Sequence, residues 1–265
     1  MEDLVARFDA LCARVDADTR RAFTRSIEVL DRAIDILGLD KICFSFNGGK
    51  DSTVVLHLLR IAVAKRVLAS LARTSQPPEA FDAAYHAAMQ RMPVLYFHTT
   101  DQFAEVNDFI SHCIATYGLQ CGVQACSFME GIQNIQETRG VQAFTMGVRK
   151  GDPFTDDLEH FAPSSKGWPA FFRINPILLW KYEYVWVFLR ELQLEYCSLY
   201  DQGYTSLGSI YNTVRNPALA VTDAAGNVSY LPAYRLQDGS SERCGRGRVC
   251  TKATASTSSS SDSST

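Results

Sequence analysis

Hydrophobic and polar positions in the first part of the chain follow helical and strand spacing in turn. Over residues 4–37, apolar side chains recur at helical intervals, which predicts one helix that ends at Gly38. Residues 41–46 are apolar and are followed by glycines, which is typical of a buried strand. Residues 52–71 then predict a second, longer helix. Strand, glycine turn and helix in this order open a βαβ unit, so we expect a parallel sheet.

The same alternation continues to about residue 150. Residues 74–92 contain two adjacent prolines and an alanine-rich stretch, and they predict a surface excursion. Beyond this excursion, strands are predicted at 94–98, 119–126 and 141–146, and helices at 105–117 and 132–138. The pattern therefore predicts an α/β fold with a doubly wound, mostly parallel sheet and helices on both faces.

The composition changes after residue 150. Residues 152–169 are polar and rich in proline and glycine, which predicts an ordered loop, and an aromatic helix is predicted over 182–192, followed by a loop over 200–216. The last fifteen residues hold eleven Ser or Thr, a composition that cannot form a packed core. We therefore expect one domain over 1–250, with a C-terminal loop and helix extension, and a disordered tail over 251–265.

Composition and charge restrict the class of protein. The chain has 265 residues, of which 46% are hydrophobic, 21% charged and 11% aromatic, as in an ordinary globular domain. The net charge of −3 argues against a broadly basic nucleic-acid-binding protein. No apolar run approaches the roughly 20 residues that span a bilayer, and the first residues lack a secretory signal pattern. We expect a cytoplasmic protein without nucleic-acid or membrane partners, whose eight cysteines are reduced.

The most informative stretch follows the first predicted strand and consists of Ser45-Phe46-Asn47-Gly48-Gly49-Lys50-Asp51-Ser52. Two glycines let the backbone approach a ligand closely, and the first turn of a helix attracts an anion. Lys50 adds a positive charge and Ser52 a hydroxyl, so the stretch predicts phosphate binding. The spacing fits neither GxxxxGK[ST] nor GxGxxG. Taken alone, it also fits an ordinary turn before a helix.

Asp51 changes this prediction, because a carboxylate repels a bare phosphate. Its position beside Lys50 indicates either a bound Mg²⁺ ion or a purely structural cap. Asn47 offers an amide to a metal or to a phosphate oxygen. Mg²⁺ typically takes one or two protein groups and completes its shell with phosphates and water.

The stretch around Lys50 resembles the pyrophosphate-binding motif of the ATP-pyrophosphatase superfamily, whose members have a doubly wound α/β fold that binds ATP. Five further segments narrow the resemblance, at residues 147–153, 168–176, 203–208, 212–217 and 242–246. Together they resemble the eukaryotic FAD synthases, FMN adenylyltransferases of the PAPS-reductase-like type, over about residues 23–248. The resemblance implies an adenine nucleotide alpha hydrolase-like fold.

The resemblance also implies a reaction, in which AMP passes from Mg-ATP to the phosphate of FMN and gives FAD and pyrophosphate. The FMN phosphate has a second pKa of about 6, so it is largely dianionic at neutral pH and needs no general base. The transfer needs charge compensation by Mg²⁺ and by cationic side chains. The cations that we expect to supply it are Lys50, Arg149, Arg243 and Arg246. A monomer is expected, with apo-flavoproteins as possible recipients of FAD.

Carried over residue by residue, the resemblance implies three overlapping sets of side chains. ATP would be bound by Ser45, Asn47, Gly48, Gly49, Lys50, Asp51 and Ser52. FMN would be bound by Gly147, Arg149, Asp152, Trp168, Arg173 and Tyr204. The catalytic set would be Asn47, Asp51, Asp152, Arg243 and Arg246, with Asn47 and Asp152 facing the metal.

Some residues and functions have other interpretations at this point. Four aromatic residues of the predicted helix are expected in the core rather than against the flavin, namely Trp180, Tyr182, Tyr184 and Trp186. Ser164-Ser165-Lys166 stands before Trp168 where the family often carries an acidic residue, which leaves the polar contacts to the flavin ring open. A sulfonucleotide reductase that uses Cys244 is an alternative, as is a flavin or nucleotide sensor without turnover.

Overall fold

Six short strands form the central sheet of the computed structural model, which describes residues 1–124 and 126–247. They are β1 (Ile42–Ser45), β2 (Val94–Phe97), β3 (Cys121–Gln124), β4 (Ala143–Thr145), β5 (Phe161–Pro163) and β6 (Phe172–Ile174). The strand order is β3-β2-β1-β4-β6-β5, and every neighbouring pair is parallel except β5 with β6. The predicted α/β class with a mostly parallel sheet is confirmed.

Seven helices accompany this sheet in the described residues. They are α1 (Glu2–Arg14), α2 (Ala17–Leu37), α3 (Lys50–Arg73), α4 (Phe81–Arg91), α5 (Ala104–Tyr117), α6 (Phe128–Arg139) and α7 (Tyr182–Glu191). A separate antiparallel hairpin of β7 (Ala220–Thr222) and β8 (Val228–Tyr230) belongs to the part of the chain after α7, residues 192–247, which we call the C-terminal extension. None of the helices in residues 1–124 and 126–247 is long and apolar enough to cross a bilayer.

Both faces of the sheet are covered, as the side chains of β1 show. Ile42 and Phe44 lie in the larger core cluster, to which α1 to α5 and α7 contribute. Cys43 points the other way, into a smaller cluster with Ile132 and Ile135 of α6. Because successive residues of a strand face opposite sides, this central strand is buried on both of them. Its apolar sequence follows from that burial.

The single helix predicted over 4–37 is wrong, because the structure divides it into α1 and α2. The break falls at Asp16, whose carboxylate accepts hydrogen bonds from the backbone N–H groups of Asp18 and Thr19. An aspartate in this position satisfies backbone donors that a helix start leaves unpaired. Apolar residues continue at helical spacing on both sides of the break, so the apolar pattern does not indicate the helix cap at Asp16.

The surface excursion predicted for 74–92 is also wrong in its second half. There the chain forms α4, which packs against α3. Phe81, Tyr85 and Met89 are four residues apart and all buried, so they form one face of a helix. Similarly, the loop predicted over 152–169 contains β5. The tail predicted for 251–265 lies outside the described residues.

Candidate nucleotide-binding site

The turn between β1 and α3 is fixed by hydrogen bonds within the predicted phosphate-binding stretch. Gly48 has φ +69°, a left-handed conformation that favours glycine, and a Cβ there would lie 2.8 Å from Ile110. The Asn47 side-chain oxygen accepts hydrogen bonds from Gly49 N–H, at 3.0 Å, and from Ser52 Oγ, at 2.7 Å. These contacts hold the turn against the start of α3.

A second turn approaches α3 from the end of β4. Gly147 touches the first turn of α3 so closely that a Cβ would lie 2.7 Å from Ser52 N and 2.8 Å from the carbonyl carbon of Asp51. Both atoms belong to the backbone of a helix, which cannot shift cheaply to admit a side chain. Because β1 and β4 are parallel neighbours, the chain leaves both strands at the same edge of the sheet. Ligands of open α/β sheets bind at that edge.

Four charged side chains meet at this edge, and we call them the charge cluster: Lys50, Asp51, Arg149 and Glu242. The Lys50 ammonium donates to Asp51 Oδ2, at 2.9 Å, and to Glu242 Oε1. Arg149 Nε donates to Asp51 Oδ1, at 2.6 Å, and its Nη2 donates to Glu242 Oε2. The Lys50 and Arg149 side chains are only 2% and 6% exposed. Two buried cations are thus balanced by two carboxylates.

The ion pairs decide the protonation of the charge cluster. Burial lowers the pKa of Lys50, but the attraction of Asp51 and Glu242 outweighs it, so the pKa is raised overall. Burial raises the pKa of Asp51, and the attraction of Lys50 and Arg149 reverses this, so its pKa is lowered overall. The pKa of Arg149 is raised by the same two carboxylates against the effect of burial. All three side chains therefore stay charged at neutral pH.

Two tyrosine side chains lie close to Lys50. Its ammonium lies 5.6 Å from the ring centre of Tyr182 and 5.8 Å from that of Tyr200. The Tyr200 hydroxyl accepts a hydrogen bond from the backbone N–H of Lys50, at 2.9 Å. Burial raises the pKa of Tyr200 well above its usual value. As predicted, the aromatic residues of α7 and its approach are core residues, since Trp180, Tyr182, Tyr184 and Trp186 are all buried.

Asp152 lies at the rim of the charge cluster. One of its oxygens, Oδ2, accepts a hydrogen bond from the backbone N–H of Arg149 at 2.9 Å, and Oδ1 lies 3.6 Å from Arg243 Nη1. Burial raises the pKa of Asp152, and the nearby charge of Asp51 adds to this. Asp152 is thus a carboxylate with one weakly held oxygen, next to an arginine that is 40% exposed.

The C-terminal extension places Glu242 and Arg243 by hydrogen bonds to its own backbone. Thr205 Oγ1 donates to the carbonyl of Glu242 at 2.6 Å, and Asn216 Nδ2 donates to the carbonyl of Ser241 at 2.8 Å. Arg246 donates to the carbonyl of Leu207, and its backbone forms a bridge with Thr213. The three segments at 203–208, 212–217 and 242–246 therefore form one unit.

A cavity of about 620 Å³ opens beside the charge cluster. This volume lies in the range of small-molecule sites, about 300–1,000 Å³. Its charged lining groups are four cations and three carboxylates, namely Arg149, Lys150, Lys181 and Arg243 with Asp152, Glu183 and Glu242. The arrangement can bind an anion and stabilise negative charge that develops on it.

Other predicted residues lie apart from the charge cluster. Trp168 packs edge-on against Phe128 of α6, with ring centres 5.4 Å apart. Arg173 Nη2 donates a hydrogen bond to Ser165 Oγ at 2.7 Å. Ser165 belongs to the stretch before Trp168 in which the family often carries an acidic residue. Tyr204 packs edge-on against Phe103. Ser45 is the last residue of β1. Among the described contacts, none of the four bonds a member of the charge cluster.

The structure also brings to the candidate site two residues that the sequence does not single out. Glu242 stands in a segment that the resemblance identified, but its pattern gave no role to a carboxylate there. Tyr200 had no signal at all, since it lies 150 residues from Lys50. Both contacts depend on how the C-terminal extension folds back over the sheet edge.

The two residues predicted to face a metal differ in their fit. Both lone pairs of the Asn47 side-chain oxygen are engaged by Gly49 and Ser52, so this oxygen is not free in the present arrangement. Asp152 Oδ1 carries only the long contact with Arg243. Within residues 1–124 and 126–247, no group of three or more His, Cys, Asp or Glu could hold a metal. Of the two, Asp152 is the residue with a weakly held carboxylate oxygen, which fits a metal ion that takes few protein groups.

The fold and the charge cluster together define an α/β protein with a candidate anion-binding site at the carboxyl edge of a parallel sheet. Residues 41–215 match the model of the phosphoadenosine phosphosulfate reductase domain. The chain belongs to this family, and within it to the group of proteins named FAD synthases, as the relatives below show.

Two relatives carry that name. A probable FAD synthase of Schizosaccharomyces pombe is 36% identical over 225 residues, which cover 84% of this chain and 78% of the relative. A probable FAD synthase of Caenorhabditis elegans is 33% identical over 255 residues, covering 93% of this chain and 45% of the relative. The chain thus spans less than half of the nematode protein. The names of these relatives confirm the resemblance inferred from the sequence. FAD synthases are nucleotidyltransferases.

Among solved structures, the chain is similar to that of Candida glabrata FMN adenylyltransferase in complex with FAD and inorganic pyrophosphate. The TM-score is 0.78 at 22% sequence identity, with 93% of this chain and 97% of the other covered. At this identity the likeness bears on the fold alone. It extends over nearly all of the described residues.

Proposed function

We propose that this chain is an FMN adenylyltransferase, which joins FMN to the AMP part of ATP and releases pyrophosphate. The observation that carries the proposal is the pair of buried cations, Lys50 and Arg149, which meet at the carboxyl edge of the sheet beside a cavity whose lining adds three cations, Lys150, Lys181 and Arg243. The names of the relatives support the choice of substrates. The Candida glabrata enzyme, which holds FAD and pyrophosphate, supports it as well.

In this reaction an oxygen of the FMN phosphate attacks the α-phosphorus of ATP. The bond from that phosphorus to the oxygen bridging to the β-phosphate breaks, and pyrophosphate leaves with the electron pair. The attacking group is already an anion, so no side chain has to remove a proton. The protein must instead hold two polyanions together and stabilise the charge on the leaving group.

The residues of the site divide this work by their positions. Lys50 and Arg149 would bind the leaving pyrophosphate, since they are the buried cations. Arg243 is exposed enough to move onto the reacting phosphates, and its guanidinium can bind two phosphate oxygens at once. Asp152 would hold Mg²⁺ together with the substrate phosphates; the metal supplies further neutralisation of charge when bound. Trp168, Arg173 and Tyr204, which lie apart from the charge cluster, remain predicted flavin contacts.

The proposal predicts a balanced reaction in a mixture of purified protein, ATP, Mg²⁺ and FMN. FAD, measured by chromatography, and pyrophosphate, measured by a coupled assay, should form in equal amounts. Neither should form when FMN is left out. Binding of FMN or ATP without any FAD would favour a sensor instead, and pyrophosphate without FAD would indicate a different adenylating enzyme.

A second candidate, sulfonucleotide reduction, is favoured by the exposure of Cys244 beside Arg243 and by the family to which the chain belongs. That reaction needs the thiol as a nucleophile, whereas adenylyl transfer does not. We expect Cys244→Ser to form FAD within about twofold of the wild-type rate, because the Cys244 thiol forms no hydrogen bond among the described residues. Loss of FAD formation in Cys244→Ser, or release of sulfite from a sulfonucleotide with a thiol donor, would contradict this assignment.

A further inference from the structure

Glu242 is the member of the charge cluster that the proposed chemistry leaves unexplained. Lys50 and Arg149 are the side chains that should receive a polyphosphate, yet each donates a hydrogen bond to the Glu242 carboxylate. The carboxylate spans both cations with its two oxygens, much as two oxygens of a phosphate would. It therefore lies where an anionic ligand of these cations has to bind.

The two carboxylates of the cluster differ in how they can respond to such a ligand. Asp51 belongs to the first turn of α3, next to Lys50, and bonds both cations from within the fold. Glu242 comes from the C-terminal extension and lines the cavity, whereas Asp51 is not among the lining residues. Exposure does not separate the two carboxylates, since the side chains of Glu242 and Asp51 are 12% and 19% exposed. Because Glu242 borders the cavity, it is the carboxylate of the pair that can turn from the cations into that space.

The backbone around Glu242 stays anchored when its side chain moves. Thr205 binds the Glu242 carbonyl, and Asn216 binds both the Ser241 carbonyl and Thr205. The Asn216 side chain is fully buried and Thr205 nearly so. A rotation about the side-chain bonds of Glu242 is therefore enough to free Lys50 and Arg149, and the rest of the extension keeps its place.

Charge balance favours an exchange over simple addition. With Glu242 in place, the two cations and two carboxylates sum to zero, so a further polyanion gains little from the cluster. With Glu242 turned away, Lys50, Arg149 and Asp51 leave one net positive charge at a buried site, which attracts an anion strongly. The cations never lack a partner in either state.

We propose that the Glu242 carboxylate is a positioning group that holds Lys50 and Arg149 in place and exchanges with pyrophosphate at these two cations. The inference rests on the proposed function for the identity of the anion, which is the leaving group of adenylyl transfer. When Glu242 returns, it displaces pyrophosphate and speeds its release. Glu242 thus weakens product binding and keeps the cations ordered between turnovers.

The test is calorimetric titration of the protein with pyrophosphate at constant Mg²⁺ and ionic strength. Glu242→Gln removes the competing charge, and we expect its Kd for pyrophosphate to fall about tenfold, the scale of one charge-assisted hydrogen bond. Glu191→Gln makes the same change of net charge at a surface pair with Arg14, and its Kd should match the wild type within about twofold. In turnover, Glu242→Gln should lower both kcat and the KM for ATP, because pyrophosphate leaves slowly.

A purely structural role for Glu242 predicts the opposite, since disordered cations would bind pyrophosphate more weakly and raise KM. Equal or weaker pyrophosphate binding by folded Glu242→Gln overturns the inference, as does a wild-type protein that forms FAD without binding pyrophosphate. If Glu242→Gln does not fold, Glu242→Asp takes its place in the test. Its Kd for pyrophosphate should lie between that of the wild type and the value expected for Glu242→Gln. Binding by Glu242→Asp no tighter than that by the wild type overturns the inference. If Glu242→Gln binds pyrophosphate more tightly than the wild type but the wild type forms no FAD, the proposed function alone is contradicted.

Discussion

Arg149→Met is expected to abolish FAD formation and to lower the free energy of unfolding by about 3–5 kcal/mol, the usual cost of removing one partner from a buried ion pair. The substitution keeps most of the side-chain volume but leaves Asp51 and Glu242 with Lys50 alone. One carboxylate then stays buried without a full counter-charge. Activity should fall by at least about 10²–10³-fold, the effect of removing one preorganised electrostatic donor. Urea unfolding and the FAD assay measure the two effects.

A double variant separates the loss of stability from the loss of activity. Arg149→Met with Glu242→Gln restores charge balance, since Lys50 and Asp51 still pair, so it should recover most of the lost free energy of unfolding. It should remain inactive, because the second phosphate-binding cation is still missing. A double variant no more stable than Arg149→Met, or either variant within tenfold of wild-type activity, would show that Arg149 does not play this part.

Asp152→Asn is expected to lose adenylyl transfer by about 10²–10³-fold or more without loss of stability at pH 7. The amide still accepts the hydrogen bond from Arg149 N–H but carries no charge for a metal or for Arg243. Burial raises the pKa of Asp152, so the fold disfavours its charged form. A raised folded pKa contributes stability at low pH that is lost as pH rises through that pKa. Asparagine, which cannot ionise, should therefore be at least as stable as aspartate at neutral pH.

The matched control is Asp157→Asn, an exposed carboxylate five residues along the same loop. It should keep wild-type rates, which shows that the loop tolerates the loss of one negative charge. Unfolding of the wild type and of Asp152→Asn at pH 4 and pH 7 gives the second readout: the variant should gain stability relative to the wild type on going to pH 7. Near-normal transfer by Asp152→Asn would remove this carboxylate from the reaction.

Much of the sheet and the position of the site followed from local sequence. The apolar run of β1 with glycines after it, and the cation beside those glycines, are signals that lie within a dozen residues. Because β1 and β4 are parallel neighbours, the turns after them lie at one edge of the sheet, and Lys50 meets Arg149 there. The sequence predicts both residues as cations that compensate phosphate charge, whereas the order of the strands comes from the structure.

Local patterns failed where one signal concealed another. The apolar repeat continues across Asp16, so it does not indicate the break between α1 and α2. The alanine-rich stretch of α4 gives a weak helix signal, because only three large apolar residues stand one helical turn apart in it. In both cases the tertiary contacts were decisive: packing against α3 buries Phe81, Tyr85 and Met89 and makes that segment a helix.

By itself, the sequence determined the α/β class and the family and predicted a phosphate-binding turn, because each signal lies in residues close together or in motifs in a fixed order. Only the tertiary structure decided that Glu242 bridges Lys50 and Arg149 and that Tyr200 binds the backbone of Lys50. These contacts join residues 93 to 192 positions apart. No spacing rule reaches so far: a carboxylate finds its buried cations only after the extension has folded over the sheet edge, and there the need to balance buried charge selects the partner.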